Sequence, residues 1–132
     1  MNGAGSQDGA AGLTTILATG IALAVTSVLL TSAGDLALTA ARARAAADAA
    51  ALAAMATSPL VGPAHLGDAR AAARQVAAAN GATVARLDDT GWPLRYRVIV
   101  TVQPGTELVS RTIGRVAASA AAGVRPRTAL EP

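Results

Sequence analysis

The side chains able to do chemistry are few, and they do not gather. His65 is the one histidine. It lies between Ala64 and Leu66 near a predicted helix start, a setting that suits a solvated or capping ring. A metal centre needs several His, Cys or carboxylate ligands at fitting spacing, and none are so arranged. Asp88-Asp89 is the single acidic pair. It precedes Thr90-Gly91 in what reads as a polar turn, whereas general acid–base work needs carboxylates held in a shielded pocket. Serines and threonines are present, but a nucleophilic triad needs a histidine base with an orienting partner. There is no G-x-S-x-G elbow and no phosphate-cradling glycine loop. With no cysteine there is no thiol nucleophile, thiolate metal site or disulfide. Arg95 and Arg97 share one face of a predicted strand and could meet an acidic partner or form the wet side of a half-buried sheet. The expectation is a protein that is not an enzyme and takes no cofactor, metal or small-molecule substrate.

The elements around these residues are more informative. Gly9 to Gly34 is a run of 26 residues with no charged side chain. As a helix rising ~1.5 Å per residue it would be about 39 Å long. A bilayer's hydrocarbon core needs ~20 such residues. The run is too long for a signal-peptide core, and residues 1–8 lack the basic residues of a signal peptide. Ser32-Ala33 before Gly34 leaves one alternative, a domain secreted after cleavage. All eleven basic residues are Arg, and the net charge of +3 is modest. They are scattered in ones and twos, not gathered with aromatic platforms as a nucleic-acid surface would be.

After Gly34 the pattern stays helical. Ala37, Ala41, Ala45, Ala49 and Ala53 fall four apart, no Pro or Gly interrupts residues 35–58, and Ala is the best helix former. One helix is predicted from about Ala10 to Thr57, with its Ala face free to pack closely on the protein's own domain or on neighbours in an assembly. Arg42, Arg44 and Asp48 punctuate this stretch and could pair along or between helices. Ser58-Pro59 to Gly62-Pro63 breaks the helix. A second helix is predicted over Leu66–Asn80, with Asp68 favouring its first turn and Asn80-Gly81 as its stop.

The remainder reads as strands. Thr83–Leu87 is short, and Asp88 to Gly91 is turn chemistry. Leu94–Gln103 alternates, with Leu94, Tyr96, Val98, Val100 and Val102 on one face. Pro104-Gly105-Thr106 turns the chain. Residues 111–124 suit a strand by the alternation of Val116, Ala118, Ala120 and Ala122, although their Ala content also suits a helix. A strand is expected, since a two-stranded hairpin is marginal alone. The fold class is α+β: a long apolar helix continuing into the domain, a second short helix and about three antiparallel strands. The expected divisions are a tail at 1–8, a membrane segment at 9–34, a small domain at 35–124 and a flexible tail at 125–132.

This order of elements resembles a pilin-like protein, and more narrowly the short actinobacterial TadE-like proteins of tight-adherence (Flp-type) pilus systems. Four stretches carry the resemblance: Asp8-Gly9-Ala10-Ala11 opening the span, the run Ala40-Ala41-Arg42-Ala43-Arg44-Ala45-Ala46-Ala47-Asp48 continuing to Ala54, Ala77 to Ala82 before the first strand, and Ala118 to Gly123. The resemblance implies a minor pilin or pseudopilin, a structural component of a type IV-related pilus or secretion apparatus. Its partners would be membrane lipid, other pilin-like subunits and the assembly machinery. It implies a single-pass protein with its C-terminal domain outside the cell, whereas Arg42 and Arg44 after the span, read by the positive-inside rule alone, place that domain inside. The assembly face would comprise Ala37, Ala41, Ala45, Ala49 and Ala53 with Arg42, Arg44 and Asp48. One departure is plain: no Glu or Asp occurs from Gly9 to Gly34, where many of the family carry a Glu near the prepilin peptidase cut. Apart from the resemblance, a single-pass or secreted binding or adaptor domain unrelated to pili fits the same residues.

Overall fold

In the computed structural model, residues 7–58, 67–90 and 94–123 are described, with side chains from residue 15 onward. The elements are α1 (Gln7–Ala56), α2 (Ala69–Ala79), β1 (Thr83–Thr90), β2 (Arg95–Val102), α3 (Glu107–Ile113) and β3 (Val116–Gly123). The architecture is α+β as expected: a long apolar helix, a second helix and a three-stranded antiparallel sheet of order β1-β2-β3. By its internal contacts the chain divides into Met1–Gly34 and Asp35–Pro132. His65, Gly91, Trp92, the proline-rich break at 59–66 and the tail from 124 lie outside the described residues.

From Thr15 through Gly34, α1 is a helix without a buried face. Every residue from Thr15 to Thr31 is exposed, among them Ile16, Leu17, Ile21, Leu23, Leu29 and Leu30. The hydroxyls in this stretch turn back on the helix. Thr19 Oγ1 donates to the Thr15 carbonyl at 2.8 Å, Thr26 to Ala22 at 2.8 Å, Ser27 to Leu23 at 2.9 Å and Thr31 to Ser27 at 2.9 Å. Such back-bonding satisfies polar groups where no water would reach them. The helix is long and apolar enough to cross a membrane, and its most apolar window is wholly unburied.

From Asp35 the same helix has two sides. Ala43, Ala46, Ala47, Ala50 and Ala54 are fully buried, with Thr39 and Met55 continuing the ridge. They form one core with Ala73 and Ala77 of α2 and with Val98, Val100 and Val102 of β2. Methyl-sized side chains let the helix lie close on the sheet, so the large core volumes come from valines of the central strand. β3 meets β2 in phase: Val98 faces Ala120, Val100 faces Ala118 and Val102 faces Val116. On β1 the register slips between Val84 and Arg86. This bulge resets the two-residue alternation, so Val84 and Leu87, three apart in sequence, both pack against the core.

The local signals explain most boundaries. Asp68 is the N-cap of α2, its carboxylate accepting the Arg70 N–H at 2.8 Å. At the other end Gly81 takes φ 69°. The Ala82 N–H donates to the Ala77 carbonyl at 2.9 Å and the Gly81 N–H to that of Ala78 at 3.0 Å, a Schellman closure that needs a residue without a Cβ penalty in the left-handed region.

Three expectations are corrected. Asp88, Asp89 and Thr90 are strand, not turn: they pair with Arg97, Tyr96 and Arg95, so the ladder overrides the poor strand propensity of the two aspartates, and Arg86 Nε donates to Asp88 Oδ1 at 2.7 Å. The predicted second helix starts at Ala69, with Gly67 and Asp68 outside it; its expected first residue, Leu66, lies outside the described residues. The third strand starts at Val116, because residues 107–113 form α3. Glu107 and Arg111 are ion-paired one turn apart there, and Gly114 at φ 76° ends the helix.

Candidate functional site

The helix face expected to carry assembly contacts lies in Asp35–Pro132 and faces outward. Ala37, Ala41 and Ala45 are exposed, Ala49 and Ala53 are half-buried, and Arg42, Arg44 and Asp48 are exposed. Geometry accounts for the gradation. Four residues advance a helix by one turn plus ~40°, so a five-member row four apart sweeps from one shoulder of the helix across its outer face to the other. The domain's own core uses the opposite side, centred on Ala43, Ala47, Ala50 and Ala54. Leu38 and Leu52 stand among the outward residues, 50% and 66% exposed. Residues 37–53 therefore present a surface of methyl groups, two leucines and three charges that the chain does not cover itself.

Pairing of Asp48 with Arg42 or Arg44 does not occur within the chain. The ion pairs among the described residues are Arg86–Asp88 and Glu107–Arg111. Asp48 instead lines an open groove of about 420 Å³ with Leu52, Met55 and the Ala121–Gly123 end of β3. β3 is an edge strand without a charge along its length, whereas the β1 edge carries Arg86, Asp88, Asp89 and a bulge. Edges of the second kind resist pairing with another strand; edges of the first do not.

Arg95 and Arg97 are exposed on the outer sheet face, with Arg97 opposite Asp88. No group of three or more His, Cys, Asp or Glu converges among the described residues.

One residue that sequence reasoning passed over organises the domain's entry. Asp35 is the first charge after the apolar run, and its Oδ2 accepts the Thr106 N–H at 2.9 Å. Thr106 is the N-cap of α3 and makes no side-chain cap of its own; the carboxylate on α1 instead satisfies the backbone N–H of the cap residue itself, as the acidic member of a capping box does. The Thr106 backbone N–H first, then the Thr106 side chain, hold Asp35 below the ordinary carboxylate value; Gly105 and the Arg42 charge add to this against a desolvation penalty. A partner 71 residues away leaves no trace in a local pattern. The outward side of α1 did have a signal, since Arg42, Arg44, Asp48 and Leu52 all avoid the Ala43–Ala54 ridge.

Comparison with family models, with curated proteins and with solved structures yields no match to this chain.

Proposed function

We propose that the chain is a membrane-anchored structural subunit of the minor pilin or pseudopilin type, TadE-like, in a tight-adherence pilus or related secretion apparatus. Residues 9–34 hold it in the lipid, and the 35–124 domain stands outside the cell. The observation that carries the reading is the outward face of α1. The domain packs its core on one side of the helix and leaves Ala37, Ala41 and Ala45 uncovered on the other. Small side chains permit close helix–helix approach, so this face suits lateral packing beside other apolar helices during assembly of a fibre. The scarcity of groups able to do chemistry fits a structural part.

Crosslinking tests it. The chain has no cysteine, so single cysteines replacing Ala37, Ala41 and Ala45 report their neighbours without background. Lateral contacts with pilin-type subunits, absent when cysteine replaces the buried Ala43 or Ala47, support the proposal. A chain that stays in the membrane yet crosslinks from none of the outer positions excludes it.

A second reading is a single-pass or secreted adaptor domain unrelated to pili. The uncharged β3 edge favours it, since an extended segment of a partner could add there as a fourth strand. Protection of the outward-directed β3 amides by a partner, with no contact along 37–53, would establish that reading.

A further inference from the structure

We infer that the β3 edge takes an acidic extended segment of a partner as a fourth strand, whose alternate carboxylates reach Arg95 and Arg97 across the outer face of the sheet. The inference rests on the second reading above, that a strand adds at this edge, and names the chemistry of that strand. On the outer face the register sets Arg95 between Thr90 and Gly123, and Arg97 between Asp88 and Ala121. Arg86 shares that face, so three arginines stand there against one aspartate. Asp88 is already engaged by Arg86 at 2.7 Å. No ion pair among the described residues includes Arg95 or Arg97, and both are exposed.

The β3 side of these two arginines is bare. Ala121 ends in a methyl group. Gly123 has no side chain and has no room for one, since a Cβ there would come within 3.2 Å of the Leu94 carbonyl oxygen and 3.3 Å of the Arg95 Cβ. β3 carries no charge from Val116 to Gly123 and stands at the end of the strand order. A strand added to it lies two strand spacings from β2, ~9.5 Å. Arg and Glu side chains together span that distance over a methyl group and a glycine, and opposite charges so placed favour pairing while like charges oppose it. The inner face sets the phase. At the same end of β3, Ala121 to Gly123 border a groove of about 420 Å³ with Leu52, Met55 and Asp48. Apolar side chains suit that groove, and Asp48 repels a carboxylate entering it. Successive residues of a strand point to opposite faces, so the segment that fits alternates acidic residues outward with apolar residues inward. A slip by one residue would set its acids against Asp48.

The test uses the full chain in non-ionic detergent and short fluorescent peptides that alternate valine with glutamate, threonine or lysine. Anisotropy reads binding, and hydrogen exchange of the amides of residues 116–123 reads the site. The glutamate peptide is expected to bind and to protect those amides. The threonine peptide should bind about three- to tenfold more weakly, the contribution of two exposed ion pairs, and the lysine peptide more weakly still. Arg95→Glu/Arg97→Glu should reverse the order of the glutamate and lysine peptides. Arg70→Glu/Arg74→Glu, the same charge change on α2, should leave the order in place. Circular dichroism checks that both variants keep the fold, which the exposure of all four arginines favours. Equal binding of the three peptides with 116–123 protected overturns the acidic partner and leaves strand addition standing. Binding without that protection, or equal weakening by the two double variants, assigns the attraction to net charge and overturns the inference. No binding by any of the peptides removes strand addition and the inference with it.

Discussion

The two halves of α1 differ both in composition and in which side chains they bury: the stretch up to Gly34 is rich in Leu, Ile, Val and Thr, and residues 35–56 are mostly Ala. From Thr15 to Gly34 the large side chains, Ile16, Leu17, Leu23 and Leu29 among them, are all exposed. Beyond Asp35 the buried positions are Thr39, Ala43, Ala46, Ala47, Ala50, Ala51, Ala54 and Met55, and the leucines Leu38 and Leu52 are left outside. The difference shows that burial follows what surrounds a helix, not how apolar its residues are. In the apolar run the large side chains stay exposed and the hydroxyls bond back to the helix. Where the sheet packs, the buried ridge is mainly alanine, with Thr39 and Met55 at its ends.

The largest effect expected from breaking this contrast is a charge placed in the first half. Leu23→Asp should cost about 2.5–3.5 kcal/mol of insertion, the usual charge penalty near a span's centre. The measurement is the membrane-bound fraction after alkaline extraction. Ala45→Asp, outward in the second half, should leave that fraction unchanged. Next comes packing. Ala50→Leu forces extra methylenes between helix and sheet and should destabilise the domain by about 1–3 kcal/mol, whereas Ala41→Leu on the outer face should stay within ~0.5 kcal/mol. Thermal unfolding of the two variants in detergent compares them directly. Smaller again is Gly81→Ala, which puts a Cβ into the left-handed cap that seats α2 on the core, at about 1–2 kcal/mol. If that change proved neutral, the Schellman closure would not be what positions α2.

The smallest effect lies at the junction of the halves. Asp35 titrates below its ordinary value of 3.8 in the folded chain. Its contribution is therefore complete above that value and is lost as pH falls through the lower folded value. Amide protection in α3 should hold from neutral pH down through mildly acidic conditions and fall once Asp35 protonates. Asp35→Asn should show reduced protection at neutral pH and no further loss on acidification.

The sequence was legible wherever a signal was local. The charge-free run, the Asp68 and Asn80-Gly81 caps and the alternation of β2 each depend on neighbours within a turn or a pleat. Phase was harder to read. In a stretch where Ala stands at nearly every position, any row four apart looks like a stripe, and only the charges distinguish Ala41 from Ala43. The bulge in β1 and the short α3 were hidden for another reason. Asp88-Asp89-Thr90 has turn composition but is held in the ladder by the β2 register, and α3 depends on a carboxylate 71 residues away. The outward face is marked by Arg42, Arg44 and Asp48, but its occupant is a property of other molecules.

The measurement that bears most directly on the central claim combines extraction with labelling from outside. A single cysteine replaces Ala117, exposed on the outer face of β3, in the otherwise cysteine-free chain. Intact cells are treated with a membrane-impermeant maleimide, and their membranes are then washed with alkaline carbonate. The account predicts that the chain stays with the membranes and carries the label. A chain released freely by carbonate, or one retained but labelled only after the cells are opened, would contradict it.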